Sequence, residues 1–379
     1  MPNAPFIPYG RHLIDEADIE AVCEVLRSDW LTTGPKVEAF ERSVAGFVGA
    51  VHGVAVCNGT AALHTAMYAL GIGPGHEVIV PPMTFAATAN CVLYQGGTPV
   101  FADVDPETLL IDPDQIEARI TDRTRAIIAV DYAGQPCDYA RLRDIADRHG
   151  LALVADGCHA LGAELGGVRV GTLADMTVFS FHPVKHVATG EGGMIVTDNP
   201  RYTEAMRLFR GHGISSDHRQ REKAGSWFYE MVDLGYNFRI TDLQCALGVS
   251  QMKKLPGFLA ARRETAAHYD ALLAGWEAAR PLALRPGLWH AYHLYVVQLD
   301  AGLDRAQVFG RMREAGIGVN VHYVPVHLHP YYRNRFGHGP GLCPVAEAAY
   351  EHILSLPMHA GLTGADVERV VESLRSAVL

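Results

Sequence analysis

A chain of 379 residues with 49% hydrophobic content can build two domains around a sizeable core. Its formal net charge of −10 excludes a protein that grips nucleic acid through a general basic field. A phosphorylated small molecule stays within reach, because a few local donors are enough to hold it.

The first residues lack the basic and then apolar layout of a signal peptide, and the longest apolar stretches, such as Glu77-Val-Ile-Val-Pro-Pro82, stop far short of a bilayer span. A cytoplasmic protein is expected. The seven cysteines are scattered without C-x-x-C spacing, which reads as reduced packing residues, with neither a disulfide frame nor a metal site.

From Val51 to Asp198 one theme repeats: a short apolar run, a turn, then a helix-like segment. The runs are Gly53–Cys57, Glu77–Val80, Thr98–Ala102, Ala126–Val130, Leu151–Ala155, Met176–Phe179 and Gly193–Thr197. Runs that are apolar throughout, with no alternation, predict strands buried on both faces and so a mostly parallel sheet covered by helices. Between them, Asp138 to His149 sets Leu142, Ile145 and Ala146 on one stripe, with Gly150 as the stop. Beyond Lys253 the texture changes. A helix from Phe258 to Leu273, the run Tyr292–Leu299, a further helix, Gly318–His322 and a last helix after Thr363 predict a smaller α+β domain. The division is placed between a large domain, residues 1–252, and a small one, residues 253–379.

Ligands of an open α/β sheet collect beyond the carboxyl ends of its strands, so the residues after each run carry the chemistry. Asn58-Gly-Thr60 after the first run is either a phosphate-binding turn or a plain helix cap in which Thr60 satisfies an orphan amide. Phe85 after the second is either a stacking face or a core aromatic. Asp156 after the fifth is costly to bury without a cation or strong donors; it either holds a protonated ring nitrogen or closes a turn with Gly157. Lys185 after the sixth is either a desolvated, nucleophilic amine or a lysine reaching to the surface. A phosphate cradle, an acid for a pyridinium and a reactive lysine are together what pyridoxal phosphate asks of a protein.

The stretches Asn58-Gly-Thr-Ala-Ala-Leu63, Met83-Thr-Phe-Ala-Ala-Thr88, Asp156-Gly-Cys-His-Ala-Leu-Gly-Ala163, Ser180-Phe-His-Pro-Val-Lys185 with Thr189-Gly-Glu-Gly-Gly193, and Gly235-Tyr-Asn-Phe-Arg-Ile-Thr241 resemble the nucleotide-sugar aminotransferases of the DegT/DnrJ/EryC1/StrS family. The resemblance runs from about Tyr9 to the last helix. It implies the aspartate-aminotransferase-like (type I) fold and a homodimer with shared active sites. It makes Lys185 the lysine that links covalently to pyridoxal 5'-phosphate and Asp156 the partner of its ring nitrogen. His159 would meet the ring oxygen, Phe85 would stack on the ring, Thr60, Ala61 and Ser180 would hold the phosphate, and Asn237 would reach it from the other subunit. Tyr9, the loop Trp30, Leu31, Thr32 and Thr33, and the loop Asn320, Val321, His322 and Tyr323 would contact the sugar nucleotide.

Within the family, Val130-Asp-Tyr-Ala-Gly134, Arg210-Gly-His-Gly-Ile-Ser215 and Val321-His-Tyr-Val-Pro325 are most similar to the pseudaminic acid branch. That branch implies a UDP-linked 4-keto-6-deoxy-N-acetylhexosamine as acceptor and glutamate as amino donor. Relatives with dehydratase activity carry histidine where this chain has Lys185. A nicotinamide site at Gly71-Ile-Gly-Pro-Gly75 fails because that run follows a helix and lacks the G-x-G-x-x-G spacing. In the histidine-rich Val321–Pro330, Pro325 and Pro330 oppose a helix that would align His322, His327 and His329 on a metal.

Overall fold

The computed structural model describes residues 5–216 and 218–379. Seven strands form one sheet in the spatial order His52–Val56, Gly193–Thr197, Met176–Ser180, Ala152–Asp156, Thr124–Val130, Glu77–Val80 and Thr98–Phe101. Gly193–Thr197 runs against both its neighbours, and the other strands share one direction. The all-apolar runs have their cause here. Helices cover both faces, so successive residues such as Ile127, Ile128, Leu153 and Val154 are all inaccessible to water. A strand with one wet face would have alternated.

The cover helix Tyr139–His149 begins at Asp138, whose carboxylate accepts the Arg141 N–H at 3.2 Å, and stops at Gly150, φ +64°. A left-handed residue at a helix end favours glycine, and the sequence supplies one there.

The helix Asp242–Leu273 is longer than the sequence indicates. It starts at a capping box of Thr241 and Gln244 and continues through Pro256, although a proline inside a helix costs about 3 kcal/mol. Packing on both sides of the proline offsets that cost. Cys245, Leu255 and Leu259 join the core under the large sheet, while Ala266, Tyr269 and Leu273 join the small domain's core. The expected division between residues 252 and 253 therefore falls inside one continuous helix.

The small domain pairs Ala279–Pro281, Tyr295–Leu299 and Ile353–Leu356 in an antiparallel sheet. Helices Arg305–Glu314 and Gly364–Ala377 pack on it, the latter capped by Thr363. Two segments cross the expected boundary. Ile7 is buried in the small domain's core, its N–H bonded to Gly316 O at 3.0 Å, whereas Val326, Tyr332, Cys343 and Ala346 pack on the large domain's core. Among the described residues no helix is long and apolar enough to cross a membrane.

Candidate active site

Asp156 and Ser180 end neighbouring parallel strands, with Asp156 opposite Val178. The chain leaves Ser180 through a tight turn in which Lys185 N–H bonds His182 O at 2.8 Å, and it returns to the sheet with Thr189 N–H on Phe181 O at 2.9 Å. Lys185 thereby stands at the carboxyl edge of the sheet, half-buried. Its Nζ lies 3.3 Å from His293 Nε2. Burial is the main cause that holds the amine below the usual lysine range; Cys158 and Asp156 oppose the shift, and Arg262 adds to it.

Asp156 is nearly inaccessible and is held by two donors. Thr88 Oγ1 donates to Oδ2 at 2.6 Å, and the Cys158 N–H donates to Oδ1 at 3.2 Å. Thr88 is itself paired with Thr84 across 2.8 Å. Donors of this kind fix the direction of a buried carboxylate.

The first turn of helix Gly59–Ala69 meets the end of the Ser180 strand. A Cβ at Gly59 would sit 2.9 Å from Ser180 Cβ, and one at Gly193 would sit 2.3 Å from Asn58 O. Only glycine allows these approaches, so at Gly193 backbone packs under the turn that bears Thr60 and Ala61. The helix cap is Asn58, whose Oδ1 accepts the Ala61 N–H at 2.8 Å; Thr60 does not cap it, contrary to the plain-cap reading of the sequence. The side chain of Thr60 is left at the helix N-terminus, where the dipole favours an anion.

His159 lies over His293, ring centroids 4.4 Å apart, and its Nε2 faces the Tyr323 hydroxyl at 3.1 Å. Its Nδ1 is buried without a partner. Burial drives the ring well below the usual histidine range, with the Lys185 charge acting in the same direction. Phe85 is 61% exposed on the same side, 6.2 Å from the Tyr323 ring, and is not the core aromatic that the sequence also allowed. Asn320 to Tyr323 and Tyr9 complete this wall, with the Tyr9 and His322 rings 5.6 Å apart. Both nitrogens of His322 are engaged within the chain, Nδ1 with Ser355 Oγ at 2.8 Å and Nε2 with the Asn320 amide at 3.3 Å. His322 is buried, so its visible work is to fix this loop, with Val321 N–H held on Asn320 Oδ1.

The remaining expected residues lie elsewhere on the chain. Trp30, Thr32, Thr33 and Asn237 line a cleft of about 1860 Å³ whose walls include neither Lys185 nor Asp156 nor His159. Leu31 is half-exposed beside them; its carbonyl accepts the Asp242 N–H, and Thr32 bridges Thr241. The single chain does not unite the two groups.

Three residues of this site escaped sequence reading. Thr84 and Thr88, one helical turn apart, carried a weak signal in their spacing, whereas His293 sits in a run that reads only as the approach to a strand. Among the described residues no group of three or more His, Cys, Asp or Glu could hold a metal ion.

A desolvated lysine, an anchored carboxylate and an anion-ready helix end, set round a buried imidazole nitrogen with no partner, fit a ring cofactor bearing a phosphate. The class is thus a pyridoxal-phosphate enzyme of fold type I, and the comparisons with known proteins agree. The chain belongs to the DegT/DnrJ/EryC1/StrS aminotransferase family, whose pattern matches residues 12–375. It is 42% identical over 378 residues to the spore coat polysaccharide biosynthesis protein SpsC of Bacillus subtilis (strain 168), covering 98% of this chain and 97% of that one. Its structure is similar to that of Helicobacter pylori PseC, an aminotransferase involved in the biosynthesis of pseudoaminic acid, with a TM-score of 0.92, 33% identity and coverage of 98% and 99%. Spr1654 of Streptococcus pneumoniae in its PMP-form gives a TM-score of 0.93 at 33% identity, covering 99% of each chain. The chain is a sugar aminotransferase, and pyridoxal phosphate is its cofactor.

Proposed function

We propose that this enzyme transfers the amino group of glutamate to C4 of UDP-2-acetamido-2,6-dideoxy-β-L-arabino-hexos-4-ulose, with Lys185 as the reacting amine. The observation that carries the chemistry is Lys185 Nζ, half-buried and lowered in basicity, at the sheet edge shared with Asp156. Likeness to PseC over 98% of the chain supports the ketone.

When bound, pyridoxal phosphate supplies an electron sink through which an amino group is exchanged between donor and acceptor. The protein's part follows from its geometry. Lys185 would hold the cofactor covalently, and its Nζ, set free, would be the group placed to carry a proton to or from the reacting carbon. Asp156 would accept the N–H of the ring nitrogen and favour its protonated form, with Oδ2 steadied by Thr88. His159 offers the unpartnered Nδ1 to the ring oxygen. Thr60, Ala61 and Ser180 hold the phosphate, and Phe85 covers the ring.

Tyr9 and the Asn320–Tyr323 loop face the sugar, whereas Asn237 and Trp30–Thr33 belong to the facing protomer's site. The ribbon preceding Asn237 supports a homodimer: Trp227 is 84% exposed, Met231 66% and Leu234 70%, a run of apolar surface that a second copy would cover.

A second reading, amination of another 4-keto nucleotide sugar such as a UDP-4-keto-pentose or a dTDP- or GDP-linked 4-keto-6-deoxyhexose, is favoured by the 42% identity to SpsC. Turnover with glutamate across a panel of these ketones separates the two. The proposal expects kcat/KM for the L-arabino ketone to exceed every other by at least about a hundredfold, the range open to a site that hydrogen-bonds its substrate's polar groups. Preference for another ketone overturns the substrate and leaves the class intact.

A further inference from the structure

The mechanism above leaves the histidine beside Lys185 without a task. His293 is buried, and its Nε2 is the polar atom that the structure sets within hydrogen-bond distance of Lys185 Nζ, at 3.3 Å. The turn that presents it is unusually constrained. Tyr292 has φ +49°, a conformation unfavourable for a side chain of its size, and its N–H bonds back to His290 Nδ1 at 2.7 Å. The guanidinium of Arg262, fully buried and with no carboxylate beside it among the described residues, donates to the carbonyls of Tyr292 at 3.0 Å, His293 at 3.5 Å and Met358 at 3.0 Å. Ala291 N–H and Leu294 N–H are bonded to Gly134 O and Ala133 O at 3.0 and 3.1 Å, and His186 Nε2 meets Ala291 O at 2.9 Å. Gly134, φ +107°, makes room: a Cβ there would lie 2.9 Å from Tyr292 N and 3.1 Å from His293 N. Contacts from both domains thus fix a single imidazole against a single amine.

We propose that His293 is a positioning residue for Lys185: whenever the lysine is not linked to the cofactor, His293 Nε2 accepts a hydrogen bond from Nζ and aims the amine for proton transfer. With Nε2 as acceptor the ring proton sits on Nδ1, and the imidazole stays neutral. Burial and the neighbouring Lys185 charge both disfavour its protonation. The inference rests on Lys185 being the reacting amine.

The test compares His293→Phe with His293→Gln, whose amide oxygen can take the place of Nε2. In the holoenzyme, His293→Phe is expected to lower kcat on the order of a hundredfold, the loss typical of a misplaced reacting group, while KM for glutamate and for the ketone stays within about twofold. His293→Gln restores most of kcat. A second readout does not need the cofactor. In cofactor-free protein, the pH dependence of Lys185 labelling by an amine reagent, read by peptide mass spectrometry, reports the state of Nζ directly. Asp156, Cys158, His159, His186, Arg262 and His322 also face this pair and are unchanged in the variants. Loss of an acceptor that favours the ammonium form is expected to move the labelling midpoint down by about one pH unit in His293→Phe, with His293→Gln between. An unmoved midpoint, or a rise in KM with kcat unchanged, overturns the proposal. Activity retained without Lys185 would instead overturn the reading beneath it.

Discussion

Replacing Lys185 with alanine is expected to leave a folded protein whose turnover falls by at least about a thousandfold, within the range that a positioned acid or base contributes. The amine does little for the fold. It stands half-buried on a turn with one polar side-chain partner, and burial works against its charged form. The denaturation midpoint should accordingly stay where it is or rise slightly, while formation of 2-oxoglutarate in the presence of the ketone nearly stops. A variant that unfolds would place the lysine in the packing; one that keeps turning over would remove it from the chemistry.

Asp156→Asn is expected to cost about a hundredfold to a thousandfold in kcat, the scale on which a preorganised electrostatic partner acts. The side chain keeps its shape; its one amide oxygen can still accept the Cys158 N–H, while the Thr88 hydroxyl can turn to accept from the amide nitrogen, so most of the loss falls on the charge. On the role proposed for Asp156, the cofactor's ring nitrogen would then hold its proton less firmly, and the electron sink would weaken. A neighbouring acid reinforces the point. Asp131, buried beside Asp156 and bonded to Cys137 N–H and the Tyr139 hydroxyl, is pushed up to about 7, chiefly by burial, with the Asp156 charge adding to the shift. Both effects act against a charged Asp131. Steady-state kcat with saturating glutamate and ketone checks the expectation; a change of less than about threefold would show that the charge is not used.

What the sequence made legible followed from local rules. All-apolar runs are a direct consequence of a parallel sheet's two covered faces, so all seven strands and the carboxyl edge could be found. Asp156 and Ser180 stand immediately after such runs and Lys185 on the short turn beyond Ser180, and residues so close to a strand end need no tertiary information to be placed. Long-range contacts were another matter. The expected helix begins only at Phe258, because the packing that carries the helix through Pro256 comes from the cores of both domains and leaves no local mark. His293 lies more than a hundred residues from Lys185, and its turn is shaped by Arg262 and Gly134, which nothing in the local run announces. The separation of Trp30–Thr33 and Asn237 from the lysine was foreshadowed for Asn237 alone, through the family's shared site. The loop Trp30–Thr33 carried no local signal that would separate it from the lysine.

The central claim is that one site takes an amino group from a donor, holds it, and gives it to a nucleotide-linked ketone. It is tested most directly by separating the two halves: load the enzyme with ¹⁵N-glutamate, remove all free donor, then add the UDP-linked L-arabino ketone and measure the product by mass spectrometry. The account predicts one ¹⁵N-labelled 4-amino sugar per active site with no glutamate present. A ketone left unchanged, or aminated only while glutamate is present in solution, would contradict it.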